Sequence, residues 1–159
     1  MSFGVVVLWL LIMTVGIEVG GGLYEWRAIY PLWSRDVTPA TVRERLTSSG
    51  QALAGRRFWP LVSVSVLILT VLNGMAAVVG PTDTRLVWLI AASVIFALRI
   101  VTLSYFAPAL MRIARHDDAL PRSRVQAAVG RWVRWSPARI PVAAVAWILL
   151  LWVFSHGPA

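Results

Sequence analysis

The 159-residue chain is 58% hydrophobic and 14% charged, has a mean hydropathy of +0.74 and contains no cysteine. That composition excludes a disordered chain and a disulfide scaffold and argues against an ordinary soluble domain. Its formal charge of +8 comes from 15 basic residues, all of them arginine, set against 7 acidic ones; in so apolar a chain this charge belongs to the loops between membrane spans, and no nucleic-acid partner is expected. Four apolar runs have the length that crosses a bilayer, roughly 20 residues each. The expected fold class is therefore all-α, an integral membrane four-helix bundle forming a single transmembrane domain over 1–159.

Span one, about 3–31, has no basic region at its front and reads as an uncleaved helix. Tyr24, Trp26, Tyr30 and Trp33 carry it on into the interface, so a long, tilted helix is expected. In the connection that follows, Thr41 and Glu44 have capping-box spacing after Thr38-Pro39. Val42, Leu46 and Leu53, with arginines between them, suggest a short helix over 40–54 lying on the lipid headgroups, a solvated linker being the alternative. Span two, about 58–79, opens on Arg56-Arg57-Phe58-Trp59-Pro60 and ends at Gly80-Pro81. Span three, about 86–110, follows after a tight turn and must be its antiparallel neighbour. Span four, about 127–155, has a helical lead-in from Arg124.

Arginine placement gives the orientation. The first connection holds Arg27, Arg35, Arg43, Arg45, Arg56 and Arg57, and the third holds Arg112, Arg115, Arg122, Arg124, Arg131 and Arg134, whereas the middle turn holds Arg85 alone. Short cytoplasmic loops carry the excess of positive charge. Both termini are thus expected outside, with two basic cytoplasmic loops, in a cell membrane and specifically a bacterial inner membrane.

An ionisable group inside a span costs about 2.5 to 3.5 kcal/mol on insertion scales, so each needs a reason. Glu18 lies in span one with Glu25 seven residues on, on the same helical face; Asn73 lies in span two, Arg99 in the middle of span three and Arg139 at the mouth of span four. Spans one and three run the same way, which puts Glu18 and Arg99 at comparable depth. They read either as a structural ion pair or as part of a polar pocket in which Arg99 holds an anionic or phenolic ligand and Glu18 accepts a proton. Gly16 and Gly20, followed by Gly21 and Gly22, have the spacing that lets another helix approach closely.

Trp132, Trp135 and Arg139 stand at i, i+3 and i+7, one stripe on a continuous helix. Two indoles beside a guanidinium suit a flat aromatic ligand or an anion, and an ordinary interfacial belt is the alternative. Pro137 is expected to kink that helix. Thr102, Tyr105, Phe106 and Pro108 end span three. The polar and aromatic candidates thus converge on the cytoplasmic end, implying a pocket that opens toward the inner leaflet. Glu18, Arg99 and Arg139 are the candidate catalytic residues, and Tyr24, Glu25, Thr102, Tyr105, Trp132 and Trp135 the candidate ligand-binding ones. His116 in a loop and His156 at the tail make no paired site, so no metal and no cofactor is expected.

Three patches of the chain are similar to the anthrone-oxygenase-like family of small four-helix membrane proteins. They are Gly21-Gly22-Leu23-Tyr24-Glu25 leading to Tyr30-Pro31, the stretch from Thr102 to Pro108, and Trp132-x3-Ser136-x2-Arg139, where the family pattern has asparagine at the position of Ser136. Members of that family oxidise an anthrone to an anthraquinone with dioxygen and without metal or flavin. The resemblance implies a cofactor-independent oxygenase in which Arg139 or Arg99 stabilises an enolate or phenolate and Glu18 or Glu25 is the base. The expected partners are a small aromatic or quinone-like ligand and membrane lipid, with a homo-oligomer or a larger membrane complex left open. The competing reading is a non-catalytic accessory subunit packing on a larger complex through its glycine face and aromatic belt.

Overall fold

An apolar stretch of this length satisfies its backbone hydrogen bonds in lipid only by folding back on itself as a helix. The computed structural model, which describes residues 2–115 and 121–157, contains four such helices joined to one short one. They are α1 (Phe3–Ser34), α2 (Pro39–Ser48), α3 (Gln51–Val79), α4 (Thr82–Ala114) and α5 (Arg122–His156). All but α2 are long and apolar enough to cross a membrane. His116 lies outside the described residues, and His156 closes α5, its ring stacked on Trp152.

Helix α1 packs on α3 and α5, and α4 packs on the same two, so the four long helices close into a ring of antiparallel neighbours. The α3–α4 connection is the tight turn expected, locked by Arg85 donating from Nη2 to the Gly80 carbonyl at 2.8 Å. Each long helix outruns its expected span at the arginine-rich end. Helix α3 begins at Gln51, directly after Gly50, whose φ of 82° only glycine adopts without strain.

Helix α2 departs from expectation in two ways. Its N-cap is Thr38 rather than Thr41: Pro39 takes the first helical position, and Thr38 and Thr41 exchange hydrogen bonds through backbone and side chain. Its apolar face is turned inward and not onto headgroups, because Val42 and Leu46 are buried against Ile113, Val125 and Val129 of α4 and α5. Leu53, the third residue of the expected face, belongs to α3 and is exposed.

Three of the long helices contain a π turn, Glu25–Ile29 in α1, Ala54–Phe58 in α3 and Thr102–Phe106 in α4; α5 has a 3₁₀ turn at Ser136–Ala138. Proline is the cause. Pro31, Pro60 and Pro108 each follow by one residue the amide that closes a π turn, Tyr30 N–H to Glu25, Trp59 N–H to Ala54 and Ala107 N–H to Thr102. A proline inside a regular helix clashes with the carbonyl four residues back and offers it no donor; one wider turn relieves both. In α5, Pro137 tightens the ladder instead.

Buried apolar side chains form two clusters. One, around Leu8, Leu11, Val15, Val66, Trp88, Ile95 and Leu150, fills the bundle toward the end where both termini lie. The other, around Tyr30, Trp33, Val42, Phe106, Ile113 and Trp132, fills the arginine-rich end. In the first cluster, Asn73 joins three helices: its Nδ2 donates to the Val7 carbonyl at 2.8 Å, and its Oδ1 accepts from Trp88 Nε1 at 3.0 Å. Trp147 of α5 lies over Gly16, where a Cβ would sit 3.2 Å from the indole, and donates to the Ile12 carbonyl at 2.9 Å. The close approach expected at Gly16 is thus present; Gly20 has no neighbour within 4 Å.

Removing the buried amide leaves the Trp88 indole without its acceptor. Asn73→Ala is expected to lose about 1 kcal/mol, the usual scale for a side-chain hydrogen bond between membrane helices. Unfolding in detergent should show Trp88→Phe costing a similar amount and the double substitution costing clearly less than the sum.

Candidate functional site

Between the two apolar clusters lies a polar layer. Its centre is Arg99, only 1% exposed, at the middle of α4. Nη2 of Arg99 pairs with Oε1 of Glu18 on α1, and Nη1 donates to Ser63 Oγ on α3 at 3.1 Å. The pairing that matched depths predict is therefore present, and it ties three helices at one level.

About two turns along α1 from Glu18 toward the arginine-rich end, Glu25 is buried at the start of the α1 π turn. Its Oε1 accepts from Trp59 Nε1 at 2.6 Å and Gln51 Nε2 at 3.1 Å, both on α3. Opposite it, Arg139 at the end of the α5 3₁₀ turn donates from Nη1 to Thr102 Oγ1 at 3.0 Å, from Nη2 to Ser136 Oγ at 2.6 Å and from Nε to the Ser136 carbonyl at 3.1 Å. Its guanidinium lies 4.4 Å from the centre of the Phe106 ring. Ser136 Oγ is also 3.1 Å from the Tyr30 hydroxyl, which links α1 to the same network. Beneath it Tyr30, Trp33 and Trp132 pack ring to ring at 5.0 to 6.2 Å, and Trp132 donates to the Phe106 carbonyl at 3.0 Å.

A cavity of about 880 Å³ runs along this layer, within the size range of sites for drug-sized molecules. Of the residues singled out in the sequence, Glu18, Glu25, Arg99, Thr102, Trp132 and Arg139 line it. Three do not. Tyr24 is 63% exposed on the outer face of α1, as expected for a residue one position, about 100°, from Glu25. Tyr105 and Trp135 border a separate shallow groove between α4 and α5, with Arg139 at its edge. The stripe Trp132-Trp135-Arg139 does not face one way: Trp132 and Trp135 stand three residues apart in the regular α-helical stretch that ends at Trp135, which separates them by about 60° before the 3₁₀ turn begins. Trp132 faces inward, and Trp135 is 56% exposed.

The structure adds residues that sequence reading passed over. Gln51 sits in what reads as a linker, and Ser63 looks like one more small residue in an apolar run. Trp59 was legible only as an interfacial anchor, Tyr30 as an interfacial aromatic and through the family resemblance, and Ser136 only through that resemblance. The one available signal is the spacing Trp59-x3-Ser63, which puts both on one face of α3. Both apolar clusters lack charge, so the chemistry of the molecule is concentrated in this layer. It offers two guanidinium groups, two carboxylates, several hydroxyls and two indoles around one hollow. Compared with known families, curated proteins and solved structures, the chain matches none of them, so the reading of this site rests on its own geometry.

Breaking a buried ion pair from one side strands the other charge, whereas replacing both partners removes the cost. Arg99→Met is expected to lose about 3 kcal/mol or more of stability. The double variant Glu18→Met/Arg99→Met should recover most of that loss in thermal unfolding measured in the same detergent.

Proposed function

We propose that the protein is a multi-pass protein of a bacterial inner membrane that binds a small aromatic or quinone-like molecule in the cavity beside Arg99 and Arg139. Both arginine-rich connections face the cytoplasm and both termini face outward. The observation that carries this reading is the composition of the cavity wall: Trp59, Phe106 and Trp132 give flat apolar faces, and Arg139 and Glu25 stand among them with complementary polar groups. A planar molecule with a hydroxyl or carbonyl oxygen is the ligand that satisfies both kinds of wall.

The similarity to anthrone oxygenases extends this to a reaction. An activated methylene flanked by aromatic rings gives up a proton, the electrons pass to dioxygen, and loss of water leaves a carbonyl; R₂CH₂ and O₂ become R₂CO and H₂O. The step needs a base, a cation beside the developing oxyanion and no solvent. Glu25 is better suited than Glu18 to take the proton. Protonating Glu18 would leave Arg99 without its counter-charge, whereas Glu25 is held by two neutral donors through Oε1 alone. Arg139, tethered by hydroxyls and a carbonyl rather than by a carboxylate, keeps its positive charge available to an oxyanion.

The test is oxygen consumption by the protein in nanodiscs supplied with anthrone, alongside binding of anthraquinone to the same discs. Glu25→Gln and Arg139→Lys should each lower turnover at least about 100-fold, the scale of a general base or an oxyanion donor, with helicity unchanged. Undiminished turnover in both variants would reject the mechanism. Absence of aromatic binding, together with recovery of another membrane protein at fixed ratio, would replace this function with that of an accessory subunit.

A further inference from the structure

The cavity is electrically lopsided. At its closed end two acids and two arginines, Glu18, Glu25, Arg99 and Arg139, sum to zero, and both guanidinium groups already hold partners. Toward its open end the wall includes three exposed arginines: Arg43 from α2, Arg56 from α3 and Arg115 just past α4. Among the described residues no acid other than Glu18 and Glu25 lines the cavity, and Glu18 is the only acid in an ion pair. A neutral aromatic molecule would leave this positive mouth unused, and the floor, though Arg139 can face an oxyanion there, carries no excess of positive charge for a second anionic group. The wall between the two ends is formed by apolar residues such as Leu46, Leu110 and Met111.

We infer that the ligand of this cavity carries an anionic group, a carboxylate, sulfonate or phosphate, at the end away from its reacting ring, and that Arg43, Arg56 and Arg115 hold that group at the mouth. The inference rests on the reading of the cavity as an aromatic site and narrows its ligand from any planar molecule to an anionic one. Guanidinium groups suit such anions because they offer paired N–H donors in the plane of the charge. Their exposure makes the contribution sensitive to salt.

Equilibrium dialysis of the full chain in zwitterionic nanodiscs, with empty discs subtracted, compares anthraquinone with anthraquinone-2-carboxylate. Arg56→Gln/Arg115→Gln is expected to weaken the carboxylate probe about tenfold at low salt and to leave the neutral probe within about twofold, as several exposed charge contacts together would. Raising the salt concentration should shrink the difference between wild type and variant. Arg131→Gln/Arg134→Gln removes the same charge from exposed positions of α5 that do not line the cavity, so it should change neither probe. Equal weakening by both double variants, or none by Arg56→Gln/Arg115→Gln while the neutral probe still binds, overturns the anionic ligand and leaves the aromatic site standing. Failure of both probes to bind the wild type overturns the two readings together.

Discussion

A guanidinium buried to 1% exposure inside an apolar bundle must have its charge balanced. Glu18 supplies the balancing charge and Ser63 a second acceptor for Arg99, from two different helices, with Nε left without a partner, and the arrangement of the bundle follows from those two contacts. Glu18 of α1 and Ser63 of α3 must both stand at the depth of Arg99, which sets the relative height of three helices. Apolar contacts alone would permit sliding, since lipid tails are as apolar as the side chains that pack in the bundle and give no net drive toward one register. Asn73 repeats the device nearer the far end, joining α1, α3 and α4 through one buried amide. Helix α5 is fixed differently, by the Trp147 indole over Gly16 and by Arg139 reaching α4.

The prolines explain why so many inward-facing groups collect at the arginine-rich end. Glu25 and Tyr30 are five residues apart, which on a regular helix separates them by about 140°. Both are nevertheless buried, because the π turn between them spends roughly one extra residue per turn and brings the second back to the inner face. Without that turn, either Glu25 would leave Trp59 and Gln51 or Tyr30 would leave Ser136. In α4, Thr102 bonds Arg139, and Phe106, four residues on and on the same face, lies under the guanidinium. Proline thus does more here than interrupt a ladder; it resets the phase of each helix just where the polar layer gives way to the second apolar cluster.

This also marks what could be read from the sequence. Spans, the antiparallel turn and the Glu18–Arg99 pair were legible because they depend on length and on ionisable residues standing out against apolar runs. Gln51 and Ser63 were not, since neither polarity nor spacing distinguishes a serine in an apolar helix or a glutamine after Gly50. The reasons that Tyr24, Tyr105 and Trp135 fall outside the cavity differ in kind. Tyr24 is an interfacial aromatic on the face of α1 turned away from Glu25. Trp135 stands about 60° round a regular helix from Trp132, enough to turn it outward, and Tyr105 lies within a π turn, where the 3.6-residue period no longer tells inside from outside. The cap of α2 moved by one turn for a similarly local reason, because Pro39 is preorganised for the first helical position and a threonine replaces the acidic partner.

The cavity is a consequence of where α3 and α4 are held together. At the far end the Gly80-Pro81 turn and Arg85 clamp them, and in the middle the Arg99 to Ser63 hydrogen bond does so. Around that bond, the cavity is walled by exposed residues of both helices, among them Val64 and Leu103. An occupant entering from the arginine-rich end would reach the Glu25 carboxylate before meeting Arg99. Under the proposed function, the Glu18–Arg99 pair would stay free to hold the register of the helices while Glu25 and Arg139, nearer the arginine-rich end, would meet the ligand. Division of labour between two carboxylates and two arginines then requires no difference in residue type, only a difference in which of them is already paired.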